Sequence, residues 1–286
     1  MTAPTRSEKL ALTDIALFLD VDGTLLEIAA TPRAVSVPDD LRERLRALFR
    51  DGGGAVALVS GRAIEDLDAL FAPLTLPSAG LHGFERRGAA GDYRRQPLPS
   101  GAALEAAREA MLDLAGRHAG LFVEDKRFAL ALHYRAAPHL EDAVMKAMDT
   151  VAARLAGELE LQHGKMVVEL RPAGASKAEA MAAFLPEAPF AGRLPVFIGD
   201  DLTDEPAFAL ANRLNGLSVV VGARRPSAAR ARLTDVPAVH DWLAQLQAQP
   251  SAALAALGRL SAPETAARAG EDPGRAPRDA RLRSQS

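Results

Sequence analysis

The sequence predicts an α/β protein in which a doubly wound, mostly parallel sheet is interrupted by an inserted α+β domain. Three observations carry that prediction. Apolar runs of strand length, residues 15–19, 55–59 and 194–198, alternate with helical stripes, as parallel sheets covered on both faces require. Each run stops at polar residues, beginning with Asp20, Ser60 and Asp200. Between residues 99 and 173 the alternation gives way to the order αββαββ, a layer able to bury a core of its own.

Composition narrows the function. The 286 residues are 48% hydrophobic with a formal net charge of -3, enough apolar content for a sizeable core and no basic footprint for nucleic acid or an acidic membrane surface. A small-molecule partner is expected. With no cysteine, disulfides, thiolate catalysis and Cys-ligated metals are excluded. The apolar stretch at residues 10–12 is too short for a signal-peptide core and nothing reaches membrane-spanning length, so cytoplasmic residence is the default expectation.

The first strand, residues 15–19, runs into Asp20-Val21-Asp22-Gly23. Two carboxylates one residue apart favour a bound cation or a shared proton, and ligands of parallel sheets gather at the strands' carboxyl ends. The Asp20 side chain and the Asp22 carbonyl suit a hard cation such as Mg²⁺, which leaves the Asp22 carboxyl for proton transfer. Taken alone, the pair also suits a solvated turn. A calcium loop fits poorly, because Gly23 comes two residues early and Thr31 holds the closing Glu position.

A helix follows from Val37-Pro38-Asp39 with Leu41, Leu45, Leu48 and Phe49 as its stripe, ended by three glycines. The strand at 55–59 closes on Ser60-Gly61-Arg62. Next come a helix with Ile64, Leu67, Leu70 and Phe71 and a weaker strand at 78–81 before His82. In the insert, a helix from Ser100 carries Leu104, Ala107, Met111 and Leu114. Strands at 121–123 and 128–134 flank a turn at 124–127, a second helix carries Leu140, Val144, Met148, Val151 and Leu155, and strands occupy 159–162 and 166–170. From Ser176 the first rhythm resumes with a helix to about Leu185, the strand 194–198, the acids Asp200, Asp201 and Asp204, a strand at 217–221 and a helix at 239–246. Residues 1–98 and 174–249 are thus expected to form the core and 99–173 the insert. Residues 250–286, rich in Ala, Arg, Pro and Ser, read as a disordered tail.

Asp20, Ser60 and Asp200 share one address just past strands of the same sheet, and Lys177, at the start of the returning helix, adds a positive charge. Such a set suits phosphoryl transfer. Asp20 would attack phosphorus, Mg²⁺ and Lys177 would neutralise charge, and Ser60 would donate to a phosphoryl oxygen. Asp22 would protonate the leaving alcohol and then activate water.

Asp20-Val21-Asp22-Gly23-Thr24, Ser60-Gly61-Arg62, Lys177 and Gly199-Asp200-Asp201 together resemble the four motifs of the haloacid-dehalogenase superfamily of phosphohydrolases. That resemblance implies Mg²⁺ on Asp20, the Asp22 carbonyl and Asp200, with Asp201 or Asp204 acting behind them and Asp204 orienting Lys177. Within the superfamily the chain is similar to trehalose-6-phosphate phosphatases from about Ile15 to Leu246, through residues 80–87, 123–126, 130–135, 167–172 and 199–205. It departs from them at Ala178, where the family often has Gly. The resemblance implies a cap closing on the sugar with Glu124, Lys126 and Glu169 at its hydroxyls. Arg62, Arg87, His82 and His133 are further candidates, each with an ordinary structural reading as a helix cap, loop cross-link or hydrogen-bonded histidine. Capped phosphatases of sucrose phosphate or mannosyl-phosphoglycerate share the core motifs. A phospho-accepting receiver domain is the rival from another class, but receivers carry the acceptor after the third strand and lack an Asp22 equivalent and a cap.

Overall fold

The computed structural model describes residues 10–28, 35–96, 100–125, 129–155, 157–164 and 166–259. In chain order the core contributes β1 (Ile15–Leu19), α1 (Asp39–Asp51), β2 (Val56–Val59), α2 (Ile64–Phe71), β3 (Ser78–Gly80), β4 (Glu85–Arg87) and β5 (Tyr93–Arg95). The insert follows with α3 (Gly101–Arg117), β6 (Phe122–Asp125), β7 (Leu130–His133), α4 (Glu141–Arg154), β8 (Leu159–Gly164) and β9 (Val167–Pro172). The core then resumes as α5 (Lys177–Phe184), β10 (Leu194–Gly199), α6 (Glu205–Arg213), β11 (Leu217–Val221), β12 (Ala231–Leu233), α7 (Val236–Ala248) and α8 (Pro250–Arg259).

The core sheet has the order β12-β11-β10-β1-β2-β3-β4-β5. Its strands from β12 to β3 are parallel, and β4 and β5 extend it antiparallel. All five residues of β1 are buried, because both faces are covered. Ile15, Leu17 and Leu19 pack with α1, α2 and α7 through Leu41, Leu45, Leu67, Phe71, Val239 and Leu243, whereas Ala16 and Phe18 pack with α5 and α6 through Met181, Phe184 and Phe208. Leu19 pairs with Ile198 of β10 and Leu58 of β2, so the residues that follow these strands emerge side by side at one edge.

The insert is a separate antiparallel sheet of order β6-β7-β9-β8. Its alternation turns Leu130, Leu132, Leu159, Val168 and Leu170 onto Ala107 and Met111 of α3 and Val144 and Met148 of α4. On the opposite face Glu124, Ala131, Glu169 and Gln162 form one row across the four strands.

Four expectations need correction or completion. Glu124 and Asp125 belong to β6 and not to a turn, while Lys126 lies outside the described residues. The short strands β4, β5 and β12 went unforeseen. The tail expected to be disordered from Pro250 instead begins as α8, whose Ala253, Leu254 and Leu257 are buried against the core. Trp242 Nε1 donates to the Ala253 carbonyl at 3.1 Å, which fastens α8 to α7. Residues 260–286 lie outside the described residues. Among the described residues no helix is long and apolar enough to cross a membrane.

Candidate active site

Asp20 leaves β1 at the carboxyl edge of the sheet, and its backbone N–H donates to the Ile198 carbonyl at 3.0 Å. The chain then turns sharply: Leu25 and Leu26 N–H groups both donate to the Val21 carbonyl, and Gly23 N–H donates to Leu26 at 2.7 Å. Gly23 adopts a φ of +82°, and a Cβ there would overlap the Asp200 carboxylate, so glycine lets the two acidic loops touch. Thr24 hydroxyl donates to Asp20 Oδ2 at 3.2 Å and lies 3.4 Å from Asp200 Oδ1.

Lys177 opens α5, with Ser176 as N-cap accepting from the Glu179 N–H at 3.1 Å. Its ammonium is buried between two carboxylates, 2.7 Å from Asp20 Oδ1 and 2.6 Å from Asp204 Oδ1. The other oxygen of Asp204 accepts the Asp201 N–H at 2.8 Å. Asp201 caps this turn through the Leu202 N–H at 2.6 Å and faces the Arg224 guanidinium at 3.9 Å.

Carboxylate oxygens of Asp20, Asp200 and Asp204 lie within 4.8 Å of one another. One lysine does not balance three acids, of which Asp20 and Asp204 are buried and Asp200 is half-buried. Burial, then Asp20 and Asp204, push the Asp200 carboxyl up to about 8. Asp204 is pushed up to about 7, first by burial, with Lys177 pulling the other way. For Lys177, burial opposes the charge, but Asp20 and Asp204 outweigh it and hold the ammonium above the ordinary lysine range. Hard oxygen donors with this surplus of negative charge fit a divalent cation such as Mg²⁺ or Mn²⁺.

Asp22 points elsewhere: Arg62 grips it with Nε on Oδ2 and Nη2 on Oδ1. Arg62 is itself held by its neighbours. Its N–H donates to Ser60 Oγ at 3.1 Å and its carbonyl accepts from Leu81 at 2.9 Å. Buried Glu85 accepts the Ile64 N–H at 2.6 Å, which anchors the start of α2 just behind. His82, in the left-handed region at φ 58°, lays its ring against Gly61, where a Cβ would strike it.

Of the residues singled out from sequence, Asp20, Asp200, Asp204 and Lys177 form one cluster, with Asp22, Arg62 and Ser60 linked beside it. Arg87 is engaged with Asp68 at 2.6 and 2.7 Å and with the Leu76 carbonyl, a cross-link behind β4. Glu124, His133 and Glu169 sit on the open face of the insert, where His133 Nε2 lies 2.9 Å from Glu124 Oε2. Sequence reasoning missed Thr24, Glu85 and Arg224. The one signal for Thr24 was its place two residues after Asp22. Nothing in periodicity marked the other two.

A doubly wound sheet whose edge joins an Asp-x-Asp loop, a buried lysine and further acids is the arrangement expected from the resemblance to haloacid-dehalogenase-like phosphohydrolases. A haloacid dehalogenase-like hydrolase from Bacteroides thetaiotaomicron shares the fold, with a TM-score of 0.55 at 17% identity over 82% of this chain and 99% of that one. The trehalose-phosphatase family model matches residues 18–237, and the chain belongs to that family. It is 45% identical over 246 residues to the trehalose-6-phosphate phosphatase of Escherichia coli (strain K12), covering 85% of this chain and 90% of that one. The structure of Aspergillus fumigatus trehalose-6-phosphate phosphatase aligns with a TM-score of 0.63 at 25% identity, over 82% of this chain and 93% of that one. The chain is thus a phosphatase acting on a sugar phosphate, and the superfamily implies a divalent metal ion.

Proposed function

We propose that this enzyme hydrolyses trehalose 6-phosphate to trehalose and inorganic phosphate, the closing step of trehalose biosynthesis, with Mg²⁺ as its metal. The observation that carries the reading is the Asp20–Lys177–Asp204 cluster with Asp200 beside it, in a chain 45% identical to a named trehalose-6-phosphate phosphatase.

Asp20 is the nucleophile. A carboxylate oxygen of Asp20 attacks phosphorus, the bond from phosphorus to the sugar oxygen breaks, and Asp22 delivers a proton to that oxygen. Water then attacks the aspartyl-phosphate with Asp22 as base, which releases phosphate and regenerates Asp20. Lys177 neutralises phosphoryl charge while Asp204 keeps its ammonium in place, and Ser60 donates to a phosphoryl oxygen. The residues that would hold Mg²⁺ are Asp20, the Asp22 carbonyl and Asp200, with Asp204 rather than Asp201 beside them in the acidic cluster. When bound, the ion supplies charge neutralisation on the phosphoryl oxygens. Glu124 and Glu169, on the open face of the cap sheet, are the groups we assign to the sugar hydroxyls, a role the sequence resemblance also gives to Lys126, and the cytoplasm is the compartment in which we place the reaction.

Phosphate release measured across a panel of sugar phosphates with Mg²⁺ tests the reading. Trehalose 6-phosphate should be strongly preferred over glucose 6-phosphate and sucrose phosphate, and Asp20→Asn should abolish turnover while leaving the melting temperature nearly unchanged. Preference for another sugar phosphate, or turnover by folded Asp20→Asn protein, overturns it.

A further inference from the structure

Nine of the ten phenylalanines fall among the described residues, and eight of these are buried or partly buried. The exception is Phe122, which is 62% exposed. Strand alternation accounts for its direction: Leu121 and Val123 pack into the core of the insert, so Phe122 emerges on the opposite face, the one that carries Glu124. Leaving a phenyl ring in water forgoes the stabilisation its burial would bring, and a single exposed ring is ordinary by itself; the groups around this one are what give it meaning.

The surroundings indicate what binds. His133 lies directly opposite Phe122 on β7, with ring centroids 5.9 Å apart and planes tilted by 38°. The same imidazole reaches Glu124 Oε2 at 2.9 Å. An apolar ring and a carboxylate are therefore joined through one histidine into a continuous surface. A pyranose has the matching faces, an apolar C–H face and a rim of hydroxyls. Its polarised C–H groups suit the negative face of a phenyl ring and its hydroxyls suit a carboxylate.

The strand register orders these groups by distance from the core. β9 returns to the core through Pro172 and Gly174, and Glu169 pairs with Ala131, which pairs with Glu124. Val167, His133 and Phe122 form the row one step farther out. Two residues along a strand span roughly 7 Å, about one sugar ring. A ring held by Glu124 and Glu169 across the small Ala131 would place its neighbour over Phe122.

We propose that Phe122 is the platform for the glucose ring remote from the phosphate, and that His133 positions Glu124 beside it. The proposal rests on the trehalose 6-phosphate reading and adds a specificity-determining residue to it.

The experiment compares kcat/KM for trehalose 6-phosphate with that for an aryl phosphate in wild-type, Phe122→Ala and Phe122→Tyr enzymes with Mg²⁺. Phe122→Ala should lower the ratio of the two about ten-fold, chiefly through KM for trehalose 6-phosphate, as loss of one apolar ring contact does. Phe122→Tyr should restore it. An unchanged ratio, or an equal loss on both substrates, overturns the inference. A binding readout stands apart from turnover: because Trp242 is the single tryptophan and is buried, Phe122→Trp introduces an exposed fluorophore. Trehalose should shift its emission and an equal amount of glucose should shift it far less. No response to trehalose counts against the platform. Failure of the wild-type enzyme on trehalose 6-phosphate would instead sink the reading of function, so the two failures are distinguishable.

Discussion

Arg62 holds Asp22 by two parallel hydrogen bonds of 2.7 and 2.6 Å, across forty positions of sequence. A planar fork on a carboxylate fixes orientation as well as charge, which an ammonium on a flexible stem does not reproduce. Arg62→Lys should therefore lower kcat about ten-fold or more with little change in melting temperature. The loss should grow with the pKa of the leaving group in a series of aryl phosphates, because a displaced Asp22 protonates the leaving oxygen poorly. An equal loss across the series would assign Arg62 to phosphate binding alone.

Stability without metal should fall as pH rises. Asp200 and Asp204, at about 8 and about 7 against an ordinary 3.8, keep protons in the folded chain that the unfolded chain has already lost. Between about 4 and about 8 the native state binds more protons, so unfolding becomes easier with each step upward. A divalent cation held by these carboxylates would replace those protons. The gap between melting temperatures in Mg²⁺ and in chelator should widen by roughly 5 °C or more across that window. Thermal melts at a series of pH values check it, and a constant gap would refute it.

Gly23→Ala should separate metal binding from folding. The new methyl would push Asp200 aside, and its positive φ adds about 1–2 kcal/mol of strain. We expect at least a ten-fold rise in the Mg²⁺ concentration needed for half-maximal phosphate release, with a melting point only a few degrees lower.

Replacing Glu124 or Glu169 by Ala should cut kcat/KM for trehalose 6-phosphate by roughly ten-fold, as loss of one charge-assisted hydrogen bond would. Hydrolysis of a small aryl phosphate, which engages the core residues, should change far less. Parallel kinetics on both substrates decide the matter, and equal losses would remove these residues from the sugar site.

Deleting the chain from Pro250 onward should destabilise the core. Leu254 and Leu257 leave their pocket and buried Trp242 Nε1 loses its acceptor, at a combined cost of at least about 3 kcal/mol. Urea unfolding of the truncated chain measures it, and an unchanged midpoint would mean that α8 contributes nothing.

The strands at 15–19, 55–59 and 194–198 were legible because burial on both faces demands unbroken apolar runs, which few other elements require. Their polar successors pointed to the site for the same reason. What escaped was short or long-range. β4 and β5 are three residues each, and four of those six are Arg, so no alternation could announce them. α8 buries two leucines and an alanine within an Ala-rich stretch whose composition reads as unfolded. Arg62 and Asp22 meet through tertiary folding, and no local pattern encodes that choice of partner. Asp204 joined the acidic cluster because its turn folds back on Lys177, a geometry set by the Asp201 cap.

Gln96 Nε2 donates to the Gly174 carbonyl at 3.0 Å, so the chain entering the insert is clasped to the chain leaving it. Lys177 follows only three residues later, behind the Ser176 cap and between two carboxylates. In the closure that the proposed function calls for, the insert would turn beside this clasp, next to a lysine anchored at both its backbone and its ammonium. Such a closure would carry Glu169 and Phe122 toward the core while Lys177, held by Asp20 and Asp204, keeps its place.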